Sequence, residues 1–212
     1  MTQHRITIVD YGLGNLASIA NMLKRIGARS IVASTPEQVL EATSLILPGV
    51  GAFGKGMQNL HERGLVDALR RKAIDEKVPV LGLCLGMQLL VSSSEEGNVP
   101  GLGWIDGRCV RFSPTGLTPE IRIPHMGWNR VTSRTQHPLL GDLGPDARFY
   151  FVHAYHLVDV QEEDQLGSTN HGVQFPSVIA RGNLMGVQFH PEKSHRFGMS
   201  LMRSFARMSG AV

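Results

Sequence analysis

Residues 78–90 read VPVLGLCLGMQLL, and the architecture follows from how that stretch is parsed. The first half is an apolar run of strand length, and after Cys84 the apolar residues take up helical spacing. Glycines stand two positions to either side of the cysteine, at Gly82 and Gly86. This is the G-x-C-x-G form of a nucleophile elbow, in which the chain reverses so tightly between strand and helix that a Cβ at either glycine would clash. Such a turn holds the thiol at the carboxyl edge of a sheet, beside a helix N-terminus whose partial positive charge favours thiolate. A buried cysteine in a parallel strand looks the same locally, so the pentapeptide needs support from elsewhere in the chain.

Residues 186–194, GVQFHPEKS, supply it: an apolar strand ending in His190, Pro191 and Glu192. A thiol nucleophile needs a base, and the base needs a group that fixes its tautomer. Residues two apart on an extended segment point to the same side, so the Glu192 carboxylate can lie beside the His190 imidazole while Pro191 restricts the backbone between them. A lone histidine at a strand end is most often a loop or capping residue. Paired with a glycine-flanked cysteine, a His-Pro-Glu strand end is much rarer. Residues 45–47 then run into Pro48-Gly49-Val50-Gly51-Ala52-Phe53-Gly54, a loop whose backbone amides can turn toward a ligand. Attack on an amide carbonyl develops negative charge on oxygen, and each donor aimed at it contributes about two to three orders of magnitude in rate. The candidate donors are the N–H of Val50 or its neighbours Gly49 and Gly51, and the N–H of Leu85. Taken alone, that loop reads as a plain strand-to-helix turn, because glycine loops at strand ends are common.

Together these segments resemble the class I (triad) glutamine amidotransferases, whose glutaminase domains use Cys-His-Glu. Within the family the resemblance is to the glutaminase subunits of imidazole glycerol phosphate synthase. It runs through Asp10-Tyr11-Gly12-Leu13-Gly14-Asn15-Leu16, Pro48-Gly49-Val50-Gly51, Cys84-Leu85-Gly86-Met87-Gln88, Pro124-His125-Met126-Gly127-Trp128-Asn129 and Phe149-Tyr150-Phe151-Val152-His153 to the His-Pro-Glu-Lys run, and so spans nearly the whole chain. Met87 fits that branch, since several relatives have histidine there. The resemblance implies a catalytic Cys84, His190 and Glu192, an oxyanion strand over Gly49, Val50 and Gly51, and substrate contacts from Gln88 and Glu96. It places Asn15, Trp128 and Lys193 on the side that faces a synthase. It implies L-glutamine as substrate, no metal or organic cofactor, and a (β/α)-barrel cyclase or another ammonia-accepting synthase as partner. On their residue types alone, Glu96 reads as part of a solvated turn, Trp128 as simple packing and Lys193 as a surface lysine.

Two stretches depart from the histidine-pathway pattern. Residues 151–156 (FVHAYH) have Ala154 and His156 where a serine and a second tyrosine commonly occur, and residues 192–199 (EKSHRFGM) also differ. They look somewhat like paralogues that feed sugar-amidating enzymes of surface-polysaccharide synthesis. A non-catalytic regulatory subunit and a γ-glutamyl hydrolase on the same fold are further alternatives, and the intact Cys84, His190 and Glu192 speak against the first of these.

At 212 residues the chain can form one domain, residues 1–212, with a substantial core. Lys and Arg number 21 against 18 Asp and Glu, a formal net charge of +3, and no long basic block stands out, so a nucleic-acid surface has no support. The N-terminus enters a strand pattern without a signal-peptide h-region, and no apolar run is long enough to span a membrane, so the expected location is cytoplasmic. A reducing compartment argues against pairing Cys84 with Cys109, and two cysteines cannot make a zinc site.

Along the chain, residues 6–10 read as a strand covered on both faces. Leu16, Ile19, Ala20, Leu23 and Ile26 recur at helical spacing, with Gly27 as C-cap. A strand over 30–33 precedes Thr35-Pro36-Glu37-Gln38, a capping box opening a helix to about Ala42. A helix over 65–75 comes before the elbow strand. This βαβ rhythm predicts an α/β fold with a doubly wound, mostly parallel central sheet flanked by helices and its site at the carboxyl edge. Residues 92–97 read as a loop. Strands over 105–112, 129–132 and 148–158, with no long helices between them, predict additional antiparallel strands in the C-terminal half. Residues 178–180 and 185–189 read as a hairpin delivering His190, and Phe197, Leu201, Phe205 and Met208 as one stripe of a last helix.

Overall fold

The computed structural model describes residues 4–113 and 121–212. In chain order its elements are β1 (Ile6–Val9), α1 (Leu16–Arg25), β2 (Ser30–Ala33), α2 (Pro36–Leu40), β3 (Leu45–Leu47), α3 (Phe53–Glu62), α4 (Leu65–Arg70), β4 (Val80–Leu83), α5 (Leu85–Leu89), β5 (Val91–Ser94), β6 (Val99–Pro100), β7 (Ile105–Arg111), β8 (His125–Arg130), β9 (Thr132–Ser133), β10 (Arg148–His153), β11 (Tyr155–Val158), β12 (Gln165–His171), β13 (Val173–Arg181), β14 (Leu184–Val187) and α6 (His195–Met208). Eight strands make one sheet in the order β2-β1-β3-β4-β14-β13-β12-β9. From β2 to β14 the neighbours are parallel; from β14 to β9 they are antiparallel. A four-stranded sheet, β11-β7-β5-β6, and a two-stranded ribbon, β10-β8, complete the α/β fold.

The strands of the parallel half read as apolar runs because both faces are covered. Their period of two sends Ile6, Ile8, Ile46, Leu81, Leu83, Met185 and Val187 into one core with residues of α1 and α6. Val9, Leu45, Leu47, Val80 and Leu184 enter the other core, with residues of α2, α3, α4 and α5. Helix ends follow local chemistry: Asn15 accepts from the Ser18 N–H at 3.1 Å, and Thr35 with Gln38 closes a capping box behind Pro36. Each satisfies N–H groups that have no acceptor within the helix.

The chain differs from its sequence reading where tertiary pairing overrides local pattern. Residues 91–94 are strand rather than loop, because β5 pairs with both β6 and β7 despite its serines. Residues 129–132 are not one strand: β8 ends at Arg130 and joins β10, whereas β9 begins at Thr132 and joins β12. Residues 148–158 likewise divide at Ala154, with β10 in the ribbon and β11 in the four-stranded sheet. The helix over 65–75 is α-helical to Arg70 and then widens into a π-helical turn over Arg71–Asp75. Helix α3 and strand β12 had no expectation attached to them; the glycines of α3 and the polar residues of β12 hide their periodicity.

Three backbone segments meet at the elbow with no room for a side chain. A Cβ on Gly86 would lie 1.7 Å from the Leu47 carbonyl oxygen, and one on Gly82 would lie 2.7 Å from the Gly86 carbonyl carbon. Gly86→Ala is therefore expected to reduce unfolding free energy by more than the roughly 1–3 kcal/mol of an overpacked core. Gly54→Ala, where the nearest atom would be 3.8 Å away, should stay close to the parent. Urea denaturation of both variants checks this; equal midpoints would mean that the elbow is not the tight point.

Candidate active site

Cys84 lies between β4 and α5 with φ +51° and ψ −108°, a backbone conformation that residues with a side chain rarely adopt. Its N–H donates to the Val187 carbonyl at 2.8 Å, and the residue is 6% exposed. The strain is held by the glycine packing and by β14, which runs alongside β4 in the register Val187 to Leu83. The same strand carries the chain to His190 three residues later. There the His190 N–H donates to the Tyr150 carbonyl at 2.9 Å, and the buried Ser194 hydroxyl donates to the His190 carbonyl at 2.6 Å while accepting from the Tyr150 N–H at 3.0 Å. Pro191–Lys193 form a single 3-10 turn between these anchors. It sets His190 Nδ1 2.8 Å from Glu192 Oε1.

The pair is almost wholly removed from water, with side-chain exposures of 2% and 4%. Burial alone would lower the His190 pKa, but the interactions with Cys84 and Glu192 outweigh it and lift the ring to about 10. Among the described residues, His190 Nε2 has no partner in hydrogen-bonding geometry, and neither does Glu192 Oε2. Cys84 and Glu192 thus both favour the charged ring, and Nε2 meets the geometric criteria for a hydrogen bond with neither of them, as is common before substrate binds. Glu192 has its nearer oxygen on Nδ1, so Nε2 is the nitrogen left for proton transfer.

Cys84 opens into a pocket of about 200 Å³. Its lining comprises Val50, Gly51, Leu85, Gln88 and Glu96 together with Pro124, Val152, His153, Ala154 and Tyr155. Gly49 is not among the lining residues; a Cβ on it would meet Tyr11 Oη at 2.5 Å and Leu85 Cβ at 2.7 Å. Leu85 is the first residue of α5, so its N–H is one of those without an intrahelical acceptor. Glu96 accepts from the Phe53 N–H at 2.7 Å, capping the start of α3 from a distant loop. Gln88 donates to the Tyr155 carbonyl at 3.1 Å and to Gln188 Oε1 at 3.0 Å. A larger groove of about 720 Å³ within residues 131–147 shares no lining residue with this pocket, and His137 is the one titratable group in its lining.

Asn15, Trp128 and Lys193 do not line the pocket. Asn15 is exposed and caps α1; Trp128, 47% exposed, stacks on His195 at 5.4 Å; Lys193 sits 5.7 Å above the Tyr150 ring. Sequence reasoning passed over Gln188, Tyr11 and Ser194. Gln188 Nε2 donates to Cys84 Sγ at 3.7 Å, and the Tyr11 hydroxyl donates to the Pro48 carbonyl behind the glycine loop. Gln188 lies within the quoted GVQFHPEKS run and alternates with His190 along its strand, which was the signal available for it. The described residues contain no group of three or more His, Cys, Asp or Glu side chains placed to hold a metal ion.

The family model described as Glutamine amidotransferase class-I matches residues 7–208. The chain belongs to that family. It is 48% identical to imidazole glycerol phosphate synthase subunit HisH 2 of Pseudomonas aeruginosa, over 96% of this chain and 99% of the relative. It is also 48% identical to the protein of the same name from Methanococcus maripaludis, over 96% and 100%. Among solved structures, one titled as a glutamine amidotransferase superposes with a TM-score of 0.74 at 21% identity, covering 96% of this chain and 98% of that one. Another from Thermotoga maritima gives 0.71 at 14%, covering 99% of both chains. At such identities the likeness concerns the fold.

For a class I amidotransferase, the chemistry available here is a buried thiol on a strained turn, a raised imidazole and a carboxylate that orients it. Glu192→Gln removes a negative charge that favours the His190 imidazolium. The alkaline limb of kcat/KM, which reports the substrate-free protein and is set by His190 near 10, is therefore expected to move to lower pH in that variant, with turnover falling less than in Cys84→Ala. A pH profile of glutamine hydrolysis checks it; an unmoved limb would uncouple the carboxylate from the ring.

Proposed function

We propose that this chain is a glutaminase subunit that hydrolyses L-glutamine to glutamate and ammonia and hands the ammonia to a synthase. The observation that carries the reading is Cys84 on its positive-φ turn beside the buried His190–Glu192 pair, in one small pocket. Cys84 Sγ attacks the side-chain amide carbon. The N–H groups of Leu85 and of the strand over Gly49, Val50 and Gly51 stabilise the oxyanion. His190 Nε2 delivers its proton to the departing nitrogen, ammonia leaves, and a γ-glutamyl thioester remains. Water that gives a proton to His190 then resolves the thioester, releasing glutamate and restoring the thiol. Glu192 holds the imidazole throughout, and Gln88 and Glu96 supply polar contacts to the bound amino acid.

Ammonia released to water is protonated and loses its nucleophilicity, so the product needs a sheltered route to an acceptor. The names of the relatives support an imidazole glycerol phosphate synthase assembly, and with it a (β/α)-barrel cyclase as the receiving subunit. The outward positions of β8 suit such docking: Met126 and Trp128 are 62% and 47% exposed, with Lys193 and His195 next to the Tyr150–Trp128 pair. Asn15 belongs to the same proposed face. Co-purification identifies the acceptor; recovery of a sugar-amidating enzyme in place of a cyclase would move the chain to the other pathway.

In the complex, Cys84→Ala is expected to abolish synthesis from glutamine while synthesis from added ammonium salt persists, because the acceptor reaction belongs to the partner. Retained glutamine use would sink the triad. An electrophilic glutamine analogue should add one mass increment at Cys84 and none at Cys109, whose thiol is buried and pushed well above its ordinary pKa by desolvation and by Glu96. Glycines on both sides of Val50 make reorientation of its peptide inexpensive. The isolated subunit is therefore expected to turn over slowly, and the acceptor-bound complex to gain roughly two to three orders of magnitude, mainly in kcat. Steady-state rates of the chain alone, with partner, and with partner plus acceptor ligand test this. Full activity in the isolated chain would defeat the switch and leave the triad standing.

A further inference from the structure

The part of the pocket lining that includes His153 and Tyr155 is joined to a chain of hydrogen bonds whose proton positions follow from heavy-atom partners alone. At one end, Asn129 Oδ1 accepts from the Arg130 N–H at 2.8 Å and Asn129 Nδ2 donates to the Asn170 carbonyl at 2.8 Å, which fixes the orientation of the amide. Nδ2 also lies 3.0 Å from His125 Nε2, so that nitrogen must accept. A neutral His125 then carries its proton on Nδ1, which lies 3.0 Å from His153 Nε2. At the other end, His153 Nδ1 lies 2.7 Å from the Tyr155 carbonyl and must donate, leaving Nε2 to accept. The assignments made from the two ends agree. The Tyr155 carbonyl accepts from Gln88 as well, and Tyr155, Gln88 and His153 line the pocket with Cys84.

We infer that Asn129, His125 and His153 form a one-directional, charge-neutral relay, Asn129 N–H to His125, His125 Nδ1–H to His153, His153 Nδ1–H to the Tyr155 carbonyl, and that His153 is a positioning residue for the glutamine pocket. The inference deepens the glutaminase reading and rests on it for its kinetic consequence. The rings have little freedom to leave register: His125 is stacked between Phe151 at 4.7 Å and His171 at 4.1 Å, and His153 packs against Phe112 and Phe175, each at 5.4 Å. β8 and β10 pair His125 directly with His153. Protonating either ring would set two N–H donors against each other, so the relay requires both to stay neutral. Burial, with His171 adding to it, pushes His125 down to about 4. Burial pushes His153 to about 3, with the Tyr155 carbonyl opposing and His125, His156 and His171 adding to the effect. The surrounding titratable groups are thus His156 on β11 and His171 on β12, with Glu95 acting on His156.

Histidine-labelled ¹⁵N NMR of the full chain tests the tautomers, with His125→Gln and His153→Phe used for assignment. Both rings are expected to show Nδ1–H with unprotonated Nε2 from pH 8 down to about 6, above the pH at which these rings charge. Nε2–H or imidazolium at either ring at neutral pH would overturn the relay. Asn129→Asp replaces the donor by an acceptor, so the His125 signals should move to Nε2–H or imidazolium; unchanged signals would also overturn it. In steady-state glutaminase assays, His153→Phe should raise KM for glutamine roughly 3- to 10-fold, about one neutral hydrogen bond, with a smaller change in kcat. His153→Gln, which keeps one donor and one acceptor, should recover most of the loss. An unchanged KM in His153→Phe would remove the positioning role. Absence of glutaminase activity in the parent chain even with partner and acceptor ligand present would instead count against the glutaminase reading, and the tautomer measurement would stand apart from it.

Discussion

The carbonyl oxygen of Leu47 occupies the place that a side chain at residue 86 would need, 1.7 Å from where its Cβ would stand. That close approach brings the end of β3, the end of β4 and the first turn of α5 into one contact. The other features of the site depend on it. With Gly86 and Gly82 in place, Cys84 is forced into positive φ, α5 starts directly after it, and Gly49 can pack on Leu85. Backbone conformations of this kind cost about 1–3 kcal/mol each and persist only where the surroundings over-determine them. Here the surroundings are two apolar cores that bury both faces of the parallel sheet.

The parts of the molecule that could be read from sequence are those governed by short-range sterics. The elbow glycines, the Thr35–Gln38 capping box, the Pro191-limited spacing of His190 and Glu192, and the hairpin over β13 and β14 each follow from residues within a few positions of one another. What could not be read depends on distant partners. Ser92 and Ser93 carry no strand signal until β6 and β7 flank them, and Ala154 gives no sign that one apparent strand serves two sheets. Gln188 looked like an ordinary polar residue in an apolar strand. Only the fold shows its amide between Cys84 and Gln88.

Burial pushes both sets of histidines toward the neutral form, and their neighbours decide the outcome. His190 is desolvated as thoroughly as most core residues, yet negative partners more than offset that cost and hold its proton. His125, His153 and His156 are desolvated among aromatic rings and other histidines, and the same physical effect keeps them neutral. The difference lies in the neighbours: a carboxylate 2.8 Å from one ring, and rings and carbonyls around the others. Histidine count along the sequence could not have separated a ring held charged by its neighbours from rings held neutral by theirs.

The ribbon strand β8 connects these two environments to the outside. Its side chains alternate, so Met126 and Trp128 face outward while His125 and Asn129 turn inward. A strand moves as a unit over a few residues, because shifting one face without the other would break its ladder to β10. Any body that covers Met126 and Trp128 therefore presses on the strand that supports His125, and His125 supports the pocket wall through His153 and the Tyr155 carbonyl. The partner strand β10 carries Tyr150, whose N–H and carbonyl both tie to the His190 segment. One two-stranded ribbon thus bears on the lining of the Cys84 pocket through one strand and on the His190 segment through the other. For the glutaminase subunit proposed above, a partner docked on Met126 and Trp128 would share this ribbon with the pocket and with His190.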